Sequence, residues 1–287
     1  MKAITHSKRF TRSRAGNFIY FLLILAAGLF TILPMLYSIL TSLKPLDELM
    51  IFPPRFYPRR PSFNNFIGLP ALLSNLTVPL SRYVFNSFFV TIVTTMGHIF
   101  VASMASYVLS KTKFKARYVI NLIVQFALLY SAYTLAVPQY VIFAKLGMID
   151  TYWVYILPYL PSTLGVFLMK QYMDDSIPES LLEAARIDGA GNFTIYRAIV
   201  MPMIKPAWLT MILFAFRDMW TVQPSGTIFS EELKTLPYVM SQVVNGGIAR
   251  AGSAMAASVL LMIPPILVYL ISQSNVMETM SSAGIKD

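Results

Sequence analysis

The chain has 287 residues, of which 56% are hydrophobic and 13% charged, about half the charged share of an ordinary globular domain. One soluble core of this size cannot hide so much apolar surface, so a lipid bilayer is the expected surrounding. The net charge of +10 does not imply nucleic acid, because Lys and Arg gather at the ends of hydrophobic runs. With no cysteine, disulfides and Cys-ligated metals are excluded.

The first element follows Lys2, Lys8, Arg9, Arg12 and Arg14 and runs apolar from Phe18 to Leu40. That is about 23 residues, or about 34 Å at the helical rise of ~1.5 Å, enough to cross a hydrocarbon core of ~30 Å. A cleaved signal has an apolar region of roughly 7–15 residues. The run therefore reads as an uncleaved span despite the small residues Ala26-Ala27-Gly28. Five further runs follow at about Tyr83–Leu109, Tyr118–Val137, Tyr152–Met169, Met203–Val222 and Ala254–Ile271. Each is expected to be a transmembrane helix, because lipid offers the backbone no other hydrogen-bond partner. Pro158 and Pro161 invite a kink in the fourth. The expected architecture is all-α, with about six transmembrane helices in a single permease domain over residues 1–287.

Orientation follows from the basic residues. Lys111, Lys113, Lys115 and Arg117 join the N-terminal group on one side, with Lys170, Arg186, Arg197, Lys205 and Lys286. The other side holds the smaller set Lys44, Arg55, Arg59, Arg60, Arg82, Lys145, Lys234 and Arg250. The bias puts both termini in the cytoplasm. External loops then cover about 41–82, rich in proline and expected to be irregular, and about 223–252. An internal loop covers about 174–201.

The internal loop reads as helix, glycine turn, helix. Pro178 suits a helix start, and Glu179 sits near the positive end of the helix dipole. Leu181, Leu182, Ala184 and Ala185 give one apolar side, and Gly189 supplies a stop. Asn192 is a candidate N-cap for a second helix reaching Pro202. By pattern alone this is equally an amphipathic connector lying at the interface.

The string is more specific than the pattern. Glu183-Ala184-Ala185, then Asp188-Gly189-Ala190, with Pro202 fourteen residues after the aspartate, Ile177-Pro178 upstream and Pro206 downstream, resembles the EAA loop of binding-protein-dependent ABC permeases. The six runs, the place of the internal loop between the fourth and fifth, and the long external segment after the fifth resemble the MalG-type permeases of carbohydrate importers, with a type I importer fold. Ser230–Pro237, Gln273–Met280 and Gly284-Ile285-Lys286 resemble the LplC/YtcP branch, while Phe216-Arg217-Asp218-Met219-Trp220 departs from the Trp-Asn-rich sequence of ordinary MalG-like chains. The resemblance implies a permease in a bacterial cytoplasmic membrane, paired with a second permease and two cytosolic ATP-binding subunits. ATP and magnesium would sit on those partners, since this chain has no phosphate loop and no cofactor of its own. An extracytoplasmic solute-binding protein would deliver an oligosaccharide, an acidic (uronate-containing) one being the finer expectation from that branch and from the external basic residues. Glu183, Ala184, Ala185, Asp188, Gly189 and Ala190 would couple to the ATPase, and the segment 223–252 would meet the binding protein.

Candidate solute-path residues are Tyr130, Tyr133, Gln139, Tyr140, Arg217, Asp218 and Trp220. Aromatic rings stack on sugars, and amides and hydroxyls bond them, though each also suits an interfacial belt or packing. Arg217 and Asp218 serve equally as an anchoring pair. His98, alone in the second run, is expected to bond a neighbouring helix. Two other classes stay open: an ion-driven secondary transporter, which calls for intramembrane carboxylates or an inverted repeat, and a structural membrane subunit.

Overall fold

The structure, a computed structural model, describes residues 14–73, 78–129, 132–223, 226–245, 247 and 250–284. Tyr130 lies outside them. The described residues contain helices and turns and no strand. The chain divides into two compact units, Met1–Leu69 with Gly246–Val259, and Pro70–Asn245 with Leu260–Asp287.

The first unit is built on α1 (Arg14–Ser42). No side chain between Phe18 and Tyr37 is buried within it, as suits a helix that meets lipid or another subunit. The proline-rich stretch that follows is less irregular than expected. It carries single helical turns at Leu46–Leu49 and Asn64–Ile67. Polar side chains staple it: the Glu48 carboxylate accepts the N–H groups of Arg59 and Arg60, both at 2.9 Å, and the Asn65 amide donates to the carbonyls of Ser42 and Lys44, both at 2.8 Å.

The second unit is built around α2 (Leu80–Lys111). Its buried stripe repeats small or hydroxylated residues every four positions, through Thr94, Ala102, Ser106 and Ser110, with His98 in the same row. Small residues at that spacing let neighbouring helices approach closely. α3 (Arg117–Ala127), α4 (Ala136–Lys145) and a short broken stretch at Trp153–Tyr159 follow. α5 (Thr163–Ser176) packs on α2 and is capped by Ser162, whose Oγ accepts the Gly165 N–H at 3.1 Å. Gly165 is required by closeness: a Cβ there would lie 2.8 Å from His98 Nε2. α6 (Glu179–Ile187) and α7 (Asn192–Ile195) lead through a π-helical turn at Tyr196–Val200 to α8 (Lys205–Trp220), which also packs on α2. α9 (Leu236–Val244) precedes the long α10 (Ala251–Gly284).

Among the described residues, three helices are each long and apolar enough to cross a membrane, within Gly16–Ser42, Leu80–Lys111 and Ala251–Ser274; a fourth crossing arises if Asn192–Met203 and Lys205–Trp220, bent by 78°, are taken together. The six expected runs are therefore not six continuous helices. The third is divided between α3 and α4, and the fourth stops at Leu157–Tyr159 and restarts at Thr163. Pro158 and Pro161 explain the second break, because each removes a backbone donor.

At the end of α2 bearing Leu80, the segment after α8 is tied down by polar groups. Asn86, fully buried, donates to the carbonyls of Glu232 and Lys234 at 2.7 and 2.8 Å and accepts the Tyr152 hydroxyl at 2.7 Å. The Tyr83 hydroxyl donates to Glu231 at 2.8 Å, and Ser87 Oγ accepts the Leu236 N–H at 2.7 Å. Asp150, at φ 60°, accepts the N–H groups of Phe229 and Ser230 at 2.9 and 2.8 Å and the Ser230 hydroxyl.

Candidate functional site

The segment from Pro178 to Met203 stands at the opposite end of α2. Pro178 holds an extended backbone and α6 begins at Glu179, as the sequence implies. Lys111 Nζ donates to the Ile177 carbonyl at 2.8 Å, and Ser110 Oγ donates to Asp174 at 2.5 Å, fixing where the segment leaves α5. Leu182 and Ala185 are buried in one core with Tyr107, Met169, Met173, Ile195, Val200 and Met211. The segment is thus docked on the bundle, unlike a connector that floats at the interface. Its other side stays open: Glu183, Ala184, Arg186 and Asp188 are exposed, and so are Ile187 at 86% and Phe193 at 63%.

The turn after α6 explains part of the motif. The Gly189 N–H bonds the Arg186 carbonyl at 3.0 Å and the Ala190 N–H bonds the Ala185 carbonyl at 2.9 Å. This pair is the Schellman closure of a helix, with a left-handed residue after the cap. Gly189 is that residue, at φ +85°. A Cβ there would meet nothing within 4 Å, so only backbone strain demands glycine. Asn192 is not the cap of α7. Gly191 holds that place, with extended backbone and no side-chain bond, and Asn192 is the first helical residue.

Beyond α7, the Tyr196 hydroxyl and Ser103 Oγ lie 2.7 Å apart and buried, joining the segment to α2. The π turn and the 78° bend then redirect the chain into α8. π turns are rare and tend to occur where a helix does work; nothing in the residue pattern announced this one.

A second group of features gathers at the break before α5. A cavity of about 740 Å³ is lined by Ile123, Phe126, Leu135, Gln139, Pro158, Tyr159 and Ser162, among others. One of about 220 Å³ shares Gln139, Pro158 and Tyr159 and adds Tyr140, Tyr155, Gln223 and Thr227. A small one of about 60 Å³ holds Thr94, His98, Tyr159, Ser162 and Asp218. Of the expected path residues, Gln139 and Tyr140 therefore line cavities and Asp218 borders the smallest. Arg217 and Asp218 are exposed and pair with each other at 3.0 Å. Trp220 does not line a path: it is 2% exposed, its indole N–H donates to the Leu261 carbonyl at 2.9 Å, and its ring stacks on Phe216. Tyr133 sits in the 3-10 turn Ala132–Leu135. The residue that sequence reasoning missed is Tyr159, common to all three cavities. The signal was Pro158-Tyr159-Leu160-Pro161, since broken transmembrane helices often carry binding residues. His98 Nδ1 lies 3.1 Å from the Tyr159 carbonyl, the bond to a neighbouring element that its isolation suggested.

A helical membrane protein with a docked, partly apolar loop and cavities at a helix break belongs to the class of transporter subunits. The chain is a member of the family of binding-protein-dependent transport system inner membrane components, whose pattern matches residues 87–281. It is similar to the arabinooligosaccharides transport system permease protein AraQ of Bacillus subtilis, 28% identical over 99% of both chains. It is also similar to the polygalacturonan/rhamnogalacturonan transport system permease protein YtcP of the same organism, 25% identical over 92% of this chain and 96% of that one. A chain from the crystal structure of a bacterial ABC transporter involved in the import of the acidic polysaccharide alginate shares the fold, with a TM-score of 0.75, 21% identity, and coverage of 92% of this chain and 98% of the other. The resemblance to binding-protein-dependent permeases is borne out, and with it the helical permease fold.

Proposed function

We propose that the chain is one of two permease subunits of an ATP-driven importer of oligosaccharides, and that residues 179–203 couple it to a cytosolic ATPase. The observation that carries this reading is the two-sided loop segment. One side is locked into the core with α2, α5 and α8 through Leu182, Ala185 and Ile195, and the other offers Glu183, Ile187 and Phe193 to a partner. A rigid helix held on one side and gripped on the other converts closure of the gripping partner into tilting of the spans it is attached to. Glu183 and Asp188 supply charge for basic residues of the ATPase, and Gly189 keeps the turn that presents α6. ATP and magnesium act on the ATPase subunits, with both termini of this chain on their side of the membrane.

Support for a carbohydrate comes from the relatives, whose names specify arabinooligosaccharides and polygalacturonan. An acidic saccharide is the finer reading and draws on the polygalacturonan named for YtcP. The external charge supports it less than the sequence implied, because Arg60 and Arg217 are ion-paired within the chain and Lys44 and Arg82 are tethered to its backbone. Lys44 donates to the Arg55 carbonyl, Arg60 pairs with Asp47, Arg82 bonds the Glu232 carbonyl and Arg217 pairs with Asp218.

The test is to purify the chain with its co-expressed permease and ATPase, reconstitute them in liposomes and add the solute-binding protein. Uptake of arabinotriose or trigalacturonate that requires internal or external ATP on the ATPase side, and is indifferent to ion gradients, is the expected result. Uptake driven by a proton or sodium gradient without ATP would overturn the reading in favour of a secondary transporter.

A further inference from the structure

We infer that Tyr159 is a sugar-stacking platform, presented by the break before α5 and held in position by His98. The inference rests on the carbohydrate reading above.

Pro158 and Pro161 flank Tyr159, so the backbone there cannot complete a helical hydrogen-bond ladder. The Ser162 N–H, which could close a turn on Tyr159, bonds the Leu160 carbonyl instead at 3.1 Å, and a Tyr159 carbonyl left unpaired inside a membrane would cost several kcal/mol by rough estimate. His98 supplies the partner at 3.1 Å. A carbonyl only accepts, so Nδ1 carries the hydrogen and donates. His98 is itself 4% exposed and wedged against Gly165, where any side chain would collide with it. The imidazole is thus fixed by packing and in turn fixes the turn that carries Tyr159.

The phenol ring is not packed away with its backbone. Tyr159 is 43% exposed, among the more open residues of the unit's broken span. It borders the cavities of about 740 and 220 Å³, which share Gln139 and Pro158; the larger lies within the ~300–1,000 Å³ typical of ligand sites. Around the ring stand an amide (Gln139), hydroxyls (Ser162 and Thr163) and, across the smallest cavity, the Asp218 carboxylate. Polar groups on an exposed face within a membrane span face an aqueous path in preference to lipid. An aromatic face beside amide and hydroxyl groups matches a sugar ring, whose axial C–H groups meet the negative face of the ring while its hydroxyls bond the polar rim. The apolar residues of the larger cavity, such as Ile123 and Phe126, fit a helix of the partner permease as the competing occupant. The amide of Gln139 and the hydroxyls of Ser162 and Thr163 in the same cavity, and the bond that positions the Tyr159 backbone, favour the saccharide.

The experiment uses the reconstituted assembly of both permeases, the ATPase and the binding protein, with radiolabelled arabinotriose and trigalacturonate as probes. In Tyr159→Ala, saccharide taken up per ATP hydrolysed should fall at least tenfold, while Tyr159→Phe, which keeps the stacking face, should stay within about twofold of the parent. His98→Gln, still able to donate to the carbonyl, should resemble the parent, and His98→Leu should follow Tyr159→Ala. Normal uptake per ATP by Tyr159→Ala would overturn the inference while leaving the carbohydrate reading intact. Loss of the partner permease on purification of Tyr159→Ala would overturn it in favour of a helix seat. Uptake of neither saccharide by the parent assembly would remove the carbohydrate reading and the platform with it.

Discussion

The two ends of α2 hold their neighbouring segments by different balances of apolar packing and hydrogen bonding. At one end, residues 179–203 dock mainly through apolar side chains, Leu182, Ala185, Ile195 and Val200, with one buried hydrogen bond between Tyr196 and Ser103, and leave Ile187 and Phe193 uncovered. At the other, residues 227–236 pack Ile228 into a small apolar core and are fixed mainly by hydrogen bonds to Tyr83, Asn86, Ser87 and Asp150. Apolar packing is non-directional and tolerates small sliding movements, whereas a set of directed hydrogen bonds fixes one register. A segment that must move with a partner is suited to the first kind of attachment, and a segment that must present one fixed surface to the second. On the coupling proposed above, the contrast suits a loop end that transmits motion and a far end that resists it.

The largest expected effect breaks the loop end. Gly189→Val places a β-branched residue at φ +85°, with strain of about 1–3 kcal/mol, which the turn relieves by unwinding. Uptake by the reconstituted assembly should be abolished while the chain still inserts and purifies. Gly189→Asn, more at ease in the left-handed region, should keep part of the activity. Normal uptake by the valine variant would show that the turn has no part in coupling.

Next in size is the far end. Asn86→Ala leaves the carbonyls of Glu232 and Lys234 and the Tyr152 hydroxyl without their partner, a loss of about 1–3 kcal/mol for a buried group. The expected outcome is a lower melting temperature and faster hydrogen exchange across 230–244, with exchange across 179–203 unchanged. Equal acceleration at both ends would erase the distinction between them.

The smallest effect concerns Asp150, whose carboxyl is held below its usual value of 3.8 by the Ser230 hydroxyl first and the N–H of Ser230 next. A depressed folded value means the carboxylate's contribution is present above the unfolded value and is lost as pH falls through the folded one. Exchange protection of 227–230 should therefore hold at neutral pH and weaken only on acidification below 3.8. Asp150→Asn should remove that acid step, and an unchanged step in the variant would assign it to another group.

The same contrast explains what could be read in advance. The loop end was legible because its information is local: Pro178, Glu179 and Gly189 act on adjacent backbone, and each stands where the sequence put it. The far end was not, since Asn86 meets Glu232 across 146 positions and no periodicity reports such a pairing. The polar residues of α2 were absorbed into an apolar run, and Ser230–Pro237 stood out only as a resemblance. The fourth run's break was marked by Pro158 and Pro161. The third run's break, between Ala127 and Ala132, had no such residue in its described part, where Leu128 and Leu129 are ordinary helix formers. Gln139 could be picked for its chemistry. Trp220 was picked by the same reasoning and is buried in this chain, since only packing distinguishes an aromatic that lines a path from one that fills a core.

The central claim is that the uncovered side of α6 is where an ATPase grips this chain. Because the sequence contains no cysteine, Ile187→Cys gives a single reactive position on that side. A photoactivatable crosslinker attached there, in membranes holding the complete assembly, should join this chain to the ATP-binding subunit, with a yield that changes when ATP is added, while the same group at Phe229→Cys should not. Crosslinks from position 187 to lipid alone, or equal ATPase adducts from both positions, would contradict the account.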